Sequence, residues 1–275
     1  MRCWAWACLG LLACTPQPDP PPLHDMLLPD MPIPAASFAG LRTDPLLLSV
    51  WSDGAQYWIT GGSGGGDGIV LHGRETMRFM VVPSGPALWW LWGTGTHRWA
   101  VGEGGRILRY DGQRWRGEAS DLPDTAVLWG IWGSGPNDLW AVGGSQRPGG
   151  PKGVVLRSTG DGVWRRIEDA TLPTETNLFK VWGSSADDVH FVGEGGVALH
   201  WNGTRFRRVE TGGSALLFTV HGQPGGSILA VGGVINGVAL RWNGERWVDD
   251  APPAGLPPFN GVFVRPDGKI GRAHV

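Results

Sequence analysis

One unit of sequence, LWGIWGSGPNDLWAVGG at Leu128–Gly144, recurs along this chain and constrains its fold more than any other feature. It reads as strand, tight turn, strand: an apolar run, a Ser-Gly-Pro-Asn-Asp turn, and a second apolar run stopped by paired glycines. Its marker tryptophan returns as Trp51, Trp92, Trp132 and Trp182, and then as His221 and Phe263, at spacings of 41, 40, 50, 39 and 42 residues. A period of this size means modules that bury their apolar faces against one another.

Each module holds four short runs. The inner run appears as LLLSVW, LWWLWG, LWGIWG, LFKVWG, LFTVHG and FNGVFV; the second as YWITGG, RWAVGE, LWAVGG, VHFVGE and ILAVGG. A third follows (GIVLH, GRILRY, GVVLRS, GVALHW, GVALRW), and a fourth is opened by Asp-Gly or Asn-Gly at Asp111, Asp161, Asn202 and Asn243. Those dipeptides predict two-residue type I′ hairpins. Four antiparallel strands per repeat predict an all-β chain folded as a β-propeller, with five complete blades, the start of a sixth and almost no helix. Trp58, Trp99 and Trp140, one column of the second strand, are expected to fill the wedges between blades. The long 50-residue spacing is absorbed at Gln146–Lys152, a Pro/Gly-rich loop.

Three segments are expected. Residues 1–13 read as a signal peptide with one arginine and a short apolar core; residues 14–45 read as a Pro-rich tether beginning at Cys14; residues 46–275 read as the propeller. Extended polyproline at ~3.1 Å per residue gives the tether a reach of about 90 Å. The ending Ile270–Val275 departs from the repeat. It is encodable as ATC GGA AGA GCA CAC GTC, the start of a common short-read sequencing adapter, so it is read as adapter read-through in an incomplete, C-terminally truncated propeller.

Leu11-Leu12-Ala13-Cys14 resembles the bacterial lipobox. The resemblance implies cleavage before Cys14, acylation of its thiol, and a palmitate-type membrane anchor, on the outer membrane of a two-membrane cell because Thr15 is not an inner-membrane retention residue. Cys3 and Cys8 leave with the signal, so the mature chain is expected to hold no disulfide. The repeats WGSGPNDLWAVGG, GVALHWNG and GVALRWNG are similar to those of bacterial extracytoplasmic propeller lipoproteins, themselves loosely similar to neuraminidase-repeat and photosystem II assembly-factor propellers. The match covers Leu46–Lys269. The paired glycines make kelch the runner-up, but two of the blades carry Gly-Glu there.

A net charge of -2 and short, scattered basic clusters give no footprint for nucleic acid. Among the 17 tryptophans most sit at repeat positions that packing explains. The inner-strand column Ser49, Trp90, Gly130, Lys180, Thr219 and Gly261 is small or polar at five of six places, so it is read as facing a central channel, with Trp90 and Lys180 the first candidates to touch a ligand. Glu103 and Glu194 occupy one repeat turn, are expected to accept backbone N–H bonds there, and join Trp90 and Lys180 as candidates for the channel or ligand face. The seven histidines show no ligand spacing beside a carboxylate, so no metal site and no cofactor are expected. Arginines on the fourth strands are read as edge protection. The function expected is a non-catalytic binding or scaffolding module for a protein or glycan ligand. The alternatives are a lectin or a sialidase-like carbohydrate-active enzyme, for which Tyr57 and Tyr110 are the available tyrosines.

Overall fold

The computed structural model describes residues 45–63, 66–250, 255–265 and 267–274, with 272–274 by backbone alone. The signal and tether expected over residues 1–44, Cys14 included, lie outside the described residues, as does Val275.

Six antiparallel meanders follow one another. The first blade is β1 (Leu46–Ser52), β2 (Tyr57–Gly62), β3 (Gly68–Gly73) and β4 (Met77–Phe79). The second is β5 (Leu88–Thr94), β6 (His97–Gly102), β7 (Ile107–Tyr110) and β8 (Trp115–Gly117); the third is β9 (Val127–Gly135), β10 (Asp138–Gly144), β11 (Val154–Ser158) and β12 (Arg165–Arg166). The fourth is β13 (Leu178–Ser185), β14 (Asp188–Gly193), β15 (Ala198–Trp201) and β16 (Phe206–Arg208). The fifth is β17 (Leu217–Gly222), β18 (Ile228–Gly232), β19 (Val238–Trp242) and β20 (Trp247–Asp249). A two-stranded sheet, β21 (Phe259–Val264) with β22 (Ile270–His274), begins a sixth. This is the all-β propeller of five blades and a partial sixth that the repeat predicts. The only helical turn among the described residues is a 3-10 turn at Glu194–Gly196, and no helix among them is long and apolar enough to cross a membrane. Although Ile270–His274 breaks the repeat's side-chain pattern, its backbone pairs with β21 from Ile270↔Val264 to His274↔Phe259.

Inner strands pack in series, β1 on β5, β5 on β9, β9 on β13, β13 on β17 and β17 on β21, and the apolar clusters lie between successive blades rather than inside any one. Two glycine columns make that stacking possible. A Cβ on Gly183 or Gly222 would strike the indole edge of the preceding blade's marker, Trp132 or Trp182, so these two tryptophans seat on the next blade's glycine. A Cβ on Gly61, Gly102, Gly143, Gly193 or Gly232 would collide with a backbone carbonyl at the start of the inner strand facing it or of the residue just before that strand. That collision explains the repeat's first glycine: the second strand passes under a carbonyl and has no room for a side chain.

The column Trp58, Trp99 and Trp140 is buried between blades as expected. Trp140 meets Phe191, Trp201 and Phe206 of the fourth blade. The insertion at Gln146–Lys152 stays a loop, tied down by Lys152 Nζ donating to Ser145 O at 2.7 Å.

The hairpin expectation is corrected. Tyr110 pairs with Trp115, Trp201 with Phe206 and Trp242 with Trp247, leaving four residues in each loop rather than two. The Asp or Asn is not a central turn residue. Its side-chain Oδ1 accepts two N–H bonds from further round the loop, for example from Gln113 and Arg114 onto Asp111 and from Thr204 and Arg205 onto Asn202. Only the glycine takes positive φ, 96° at Gly112 and 88° at Gly203. Side-chain closure of a longer loop replaces the tight turn.

Candidate ligand-binding site

Every inner strand carries a bulge at the same place. The register with the second strand skips one residue in all six blades: Leu48, Trp89, Trp129, Phe179, Phe218 and Asn260. A bulge leaves its extra residue out of the ladder and re-aims its side chain. Four consecutive blades place an aromatic ring there, and two contacts link three of these rings: Trp129 meets Phe179 at 5.2 Å and Phe179 meets Phe218 at 5.8 Å. In the sequence Trp89 and Trp129 are part of the inner runs LWWLWG and LWGIWG. The signal that could have separated them was the extra residue between the apolar alternation of β5 and β9 and their partners.

Between the second and third blades, at the bulge end, lies a cavity of about 870 Å³ lined by Trp89, Trp129, Glu103, Arg106 and Arg147 among others. Trp89 Nε1 is buried there without a hydrogen-bond partner. The Arg106 guanidinium is held by the carbonyls of Pro83 and Pro86, the latter at 2.7 Å.

The inner-strand column next to the bulge is closely packed around Gly130, while Ser49, Trp90, Lys180 and Gly261 stay partly exposed. A Cβ on Gly130 would lie 2.8 Å from Phe179 O and 3.0 Å from Lys180 Cα. That missing side chain lets Lys180 reach from the fourth blade across the third. Its Nζ donates to Trp129 O at 2.6 Å and sits 3.6 Å from the centre of the Trp90 ring in the second blade. The structure therefore joins Trp90 and Lys180 as a cation–π pair. Loss of hydration on burial pulls the Lys180 ammonium down to about 7. In the same column Ser49 hydrogen-bonds Thr60 and Thr219 donates to Asn260 O.

Glu103 and Glu194 do not converge. Glu194 accepts from the Asn177 backbone N–H at 2.8 Å and from Asn177 Nδ2 at 3.0 Å, the turn role expected of it. Glu103 lines the cavity beside Trp129. Tyr110 is committed to Gly112 O at 2.9 Å, and Tyr57 is 48% exposed on the first blade. Fourth-strand arginines are paired locally, Arg116 with Asp111 and Arg165 with Asp161.

One cluster escapes the spacing rule applied to the histidines. Asp188, His190 and His200 bring their ligand atoms within 4.8 Å of one another. In-strand spacing hid this because His200 comes from the neighbouring strand, directly opposite His190. Hydrogen bonds from His190, His200 and Ser184 hold the Asp188 carboxyl far below the usual carboxylate range, and desolvation lowers His190.

No protein-family model and no curated protein matches the sequence. Solved structures do match in fold. The SapL1 lectin in complex with α-methyl fucoside aligns with a TM-score of 0.51 at 14% identity, over 84% of this chain and 86% of that one. The Aleuria aurantia lectin with Fucα1-6GlcNAc gives 0.50 at 13%, over 77% of this chain and 82% of that one. YCF48 bound to D1 peptide gives 0.49 at 18%, over 63% of this chain and 57% of that one, a little over half its length. At these identities the likeness is one of fold, and it places this chain among the β-propellers.

Proposed function

We propose that this chain is a non-catalytic binding module whose ligand lies along the row of bulged aromatic residues and enters the cavity between the second and third blades. The observation that carries the reading is the bulge itself. It recurs in every inner strand and places aromatic rings in consecutive blades, Trp89 and Phe218 half-buried, Trp129 and Phe179 buried. Flat rings beside Glu103, Arg106 and Arg147 suit an extended polar ligand with apolar faces, a peptide segment or a glycan. Screening the full chain against a peptide library and a glycan array, with Trp129→Ala and Glu103→Gln as variants, tests it. Binding that both variants weaken at least tenfold supports the site. Binding that neither changes removes it, and turnover of a glycan would make the protein an enzyme. The lectin reading is the glycan arm of that test.

The anchor expected at Cys14 completes the proposal: acylation there holds the module at a membrane outside the cytoplasm, the outer membrane in a two-membrane cell. Its support is the LLAC sequence at the end of the apolar segment. Cys14→Ser is expected to abolish both incorporation of radiolabelled palmitate and recovery in the membrane fraction. A variant still processed and membrane-bound would refute the anchor.

A further inference from the structure

The third and fourth blades carry the same three positions on the same face, filled differently. In the third, Asp138 on β10 accepts from Arg157 Nε and Nη2 at 3.2 and 3.0 Å, and the guanidinium lies 4.5 Å from the centre of the Trp140 ring. Trp140 and Arg157 face each other across β10 and β11. In the fourth, Asp188 is kept, but both facing positions are imidazoles, His190 on β14 and His200 on β15. The second blade keeps Trp99 opposite Arg109 and the fifth Leu229 opposite Arg241, while the first has Trp58 opposite His72. Among these five pairs the fourth blade alone has two nitrogen ligands facing each other, and it has them beside a carboxylate.

The geometry is near that of a coordination sphere. His200 Nε2 lies 2.8 Å and His190 Nε2 3.1 Å from the same oxygen, Asp188 Oδ1. The rings stack at 4.7 Å with 23° between planes, so both nitrogens point to one side. An ion with bonds of about 2.0–2.1 Å in a tetrahedral shell sets its ligand atoms about 3.3 Å apart. The two distances to Oδ1 need to lengthen by a few tenths of an ångström to admit it, and all three ligand atoms already lie within 4.8 Å of one another. Asp188 Oδ2 is occupied by the Ser184 hydroxyl, which fixes the carboxylate and leaves Oδ1 for the site. His190 is fully buried, whereas the side chains of His200 and Asp188 are 15% and 32% exposed, so the cluster opens to solvent on one side. Arg207, facing His200 from β16, turns its guanidinium toward Glu245 O at 3.0 Å.

We propose that Asp188, His190 and His200 form a binding site for a zinc-type divalent transition ion, with Oδ1 and the two Nε2 atoms as protein ligands and water completing the shell. Two imidazoles with one carboxylate suit zinc and its borderline neighbours over calcium or magnesium, which take oxygen ligands.

The test uses tag-free full chain, stripped of metal by chelation, with zinc as titrant in calorimetry and cobalt as a spectroscopic probe. One equivalent of zinc is expected, with an intense visible cobalt band of four-coordinate character. His200→Arg, which restores the third blade's residue, and Asp188→Asn, which keeps the shape, are each expected to weaken zinc binding by more than about 100-fold, beyond the 10–100-fold typical of outer-shell changes. Circular dichroism of each variant establishes that the sheet content is unchanged. Should His200→Arg disturb folding, Asp188→Asn carries the test alone. Failure of the wild-type chain to bind zinc at millimolar concentration overturns the proposal, as does undiminished one-equivalent binding by folded Asp188→Asn.

Discussion

The joint between the third and fourth blades and the joint between the first and second share an aromatic core and differ in how deeply a charge is packed into it. In the former, Trp132 seats on Gly183, and Trp140 is enclosed by Phe191, Trp201 and Phe206. In the latter, Trp58 likewise meets Tyr110 and Trp115, and Arg98 packs beside it. Its guanidinium lies 4.7 Å from the centre of the Trp51 ring and 5.1 Å from that of Trp58, and pairs with Asp53 at 2.7 Å. The repeat thus dictates the shape of the wedge, not the polarity of what fills it. The area that aromatic rings bury does not titrate. A joint that contains charges or imidazoles inherits their titration.

Breaking the aromatic joint should have the largest effect. Trp140 is fully buried, and Trp140→Ala is expected to lower the unfolding free energy by about 3–5 kcal/mol. Denaturant unfolding at pH 5 and pH 8 measures it, and the loss should be the same at both.

The joint between the fifth and sixth sheets extends the comparison to an imidazole. His221 Nδ1 accepts the Val264 N–H at 3.1 Å, and its ring lies 4.8 Å from Phe263. Burial lowers this histidine to about 4. Because the folded value is below the unfolded one, its contribution is complete above about pH 6.5 and is lost as pH falls from there toward 4, at about 1.4 kcal/mol per unit. Protonation also removes the acceptor that holds β21. Thermal unfolding between pH 7 and 4 should show a decline that His221→Phe flattens.

At the first joint, Arg98→Met keeps an apolar stem between Trp51 and Trp58 but removes the bonds to Asp53 and to the carbonyls of Gly95 and His97. A cost of about 2 kcal/mol is expected, and the variant's midpoint in urea should depend less on salt than the wild type's.

The blades were legible because each depends on a local, repeated signal: alternating apolar runs, glycines at fixed offsets, and Asp or Asn before Gly. The Trp90–Lys180 pairing was half legible, since a column of small residues marked the place but only Gly130 shows how the lysine crosses a blade. What stayed hidden depends on register. A bulge shifts pairing by one residue without altering composition, so Trp89 and Trp129 look like core tryptophans in the sequence. The histidine pair was hidden for the same reason, because His190 and His200 meet through strand pairing across a turn whose length the sequence does not announce.

The finest test of the comparison is Asp53→Asn. Asp53 has two tasks in the structure. Its Oδ1 accepts from the Ala55 and Gln56 N–H groups, closing the loop between β1 and β2, and its Oδ2 receives Arg98. Desolvation opposes ionisation there, yet the hydrogen bonds from Gln56, Ala55 and Arg98 outweigh it and hold the carboxyl below its ordinary value. With the folded value depressed, the stabilisation is present above the unfolded value near 3.9 and is lost as pH falls below it. Asparagine retains an oxygen acceptor for the loop and loses only the charge facing Arg98. Since Asp53 is partly exposed, the cost at neutral pH should stay below about 1 kcal/mol. The sharper readout is acid unfolding: the wild type should lose stability below pH 4 more steeply than Asp53→Asn. Identical profiles would mean that Arg98 holds the first two blades together through the tryptophans alone.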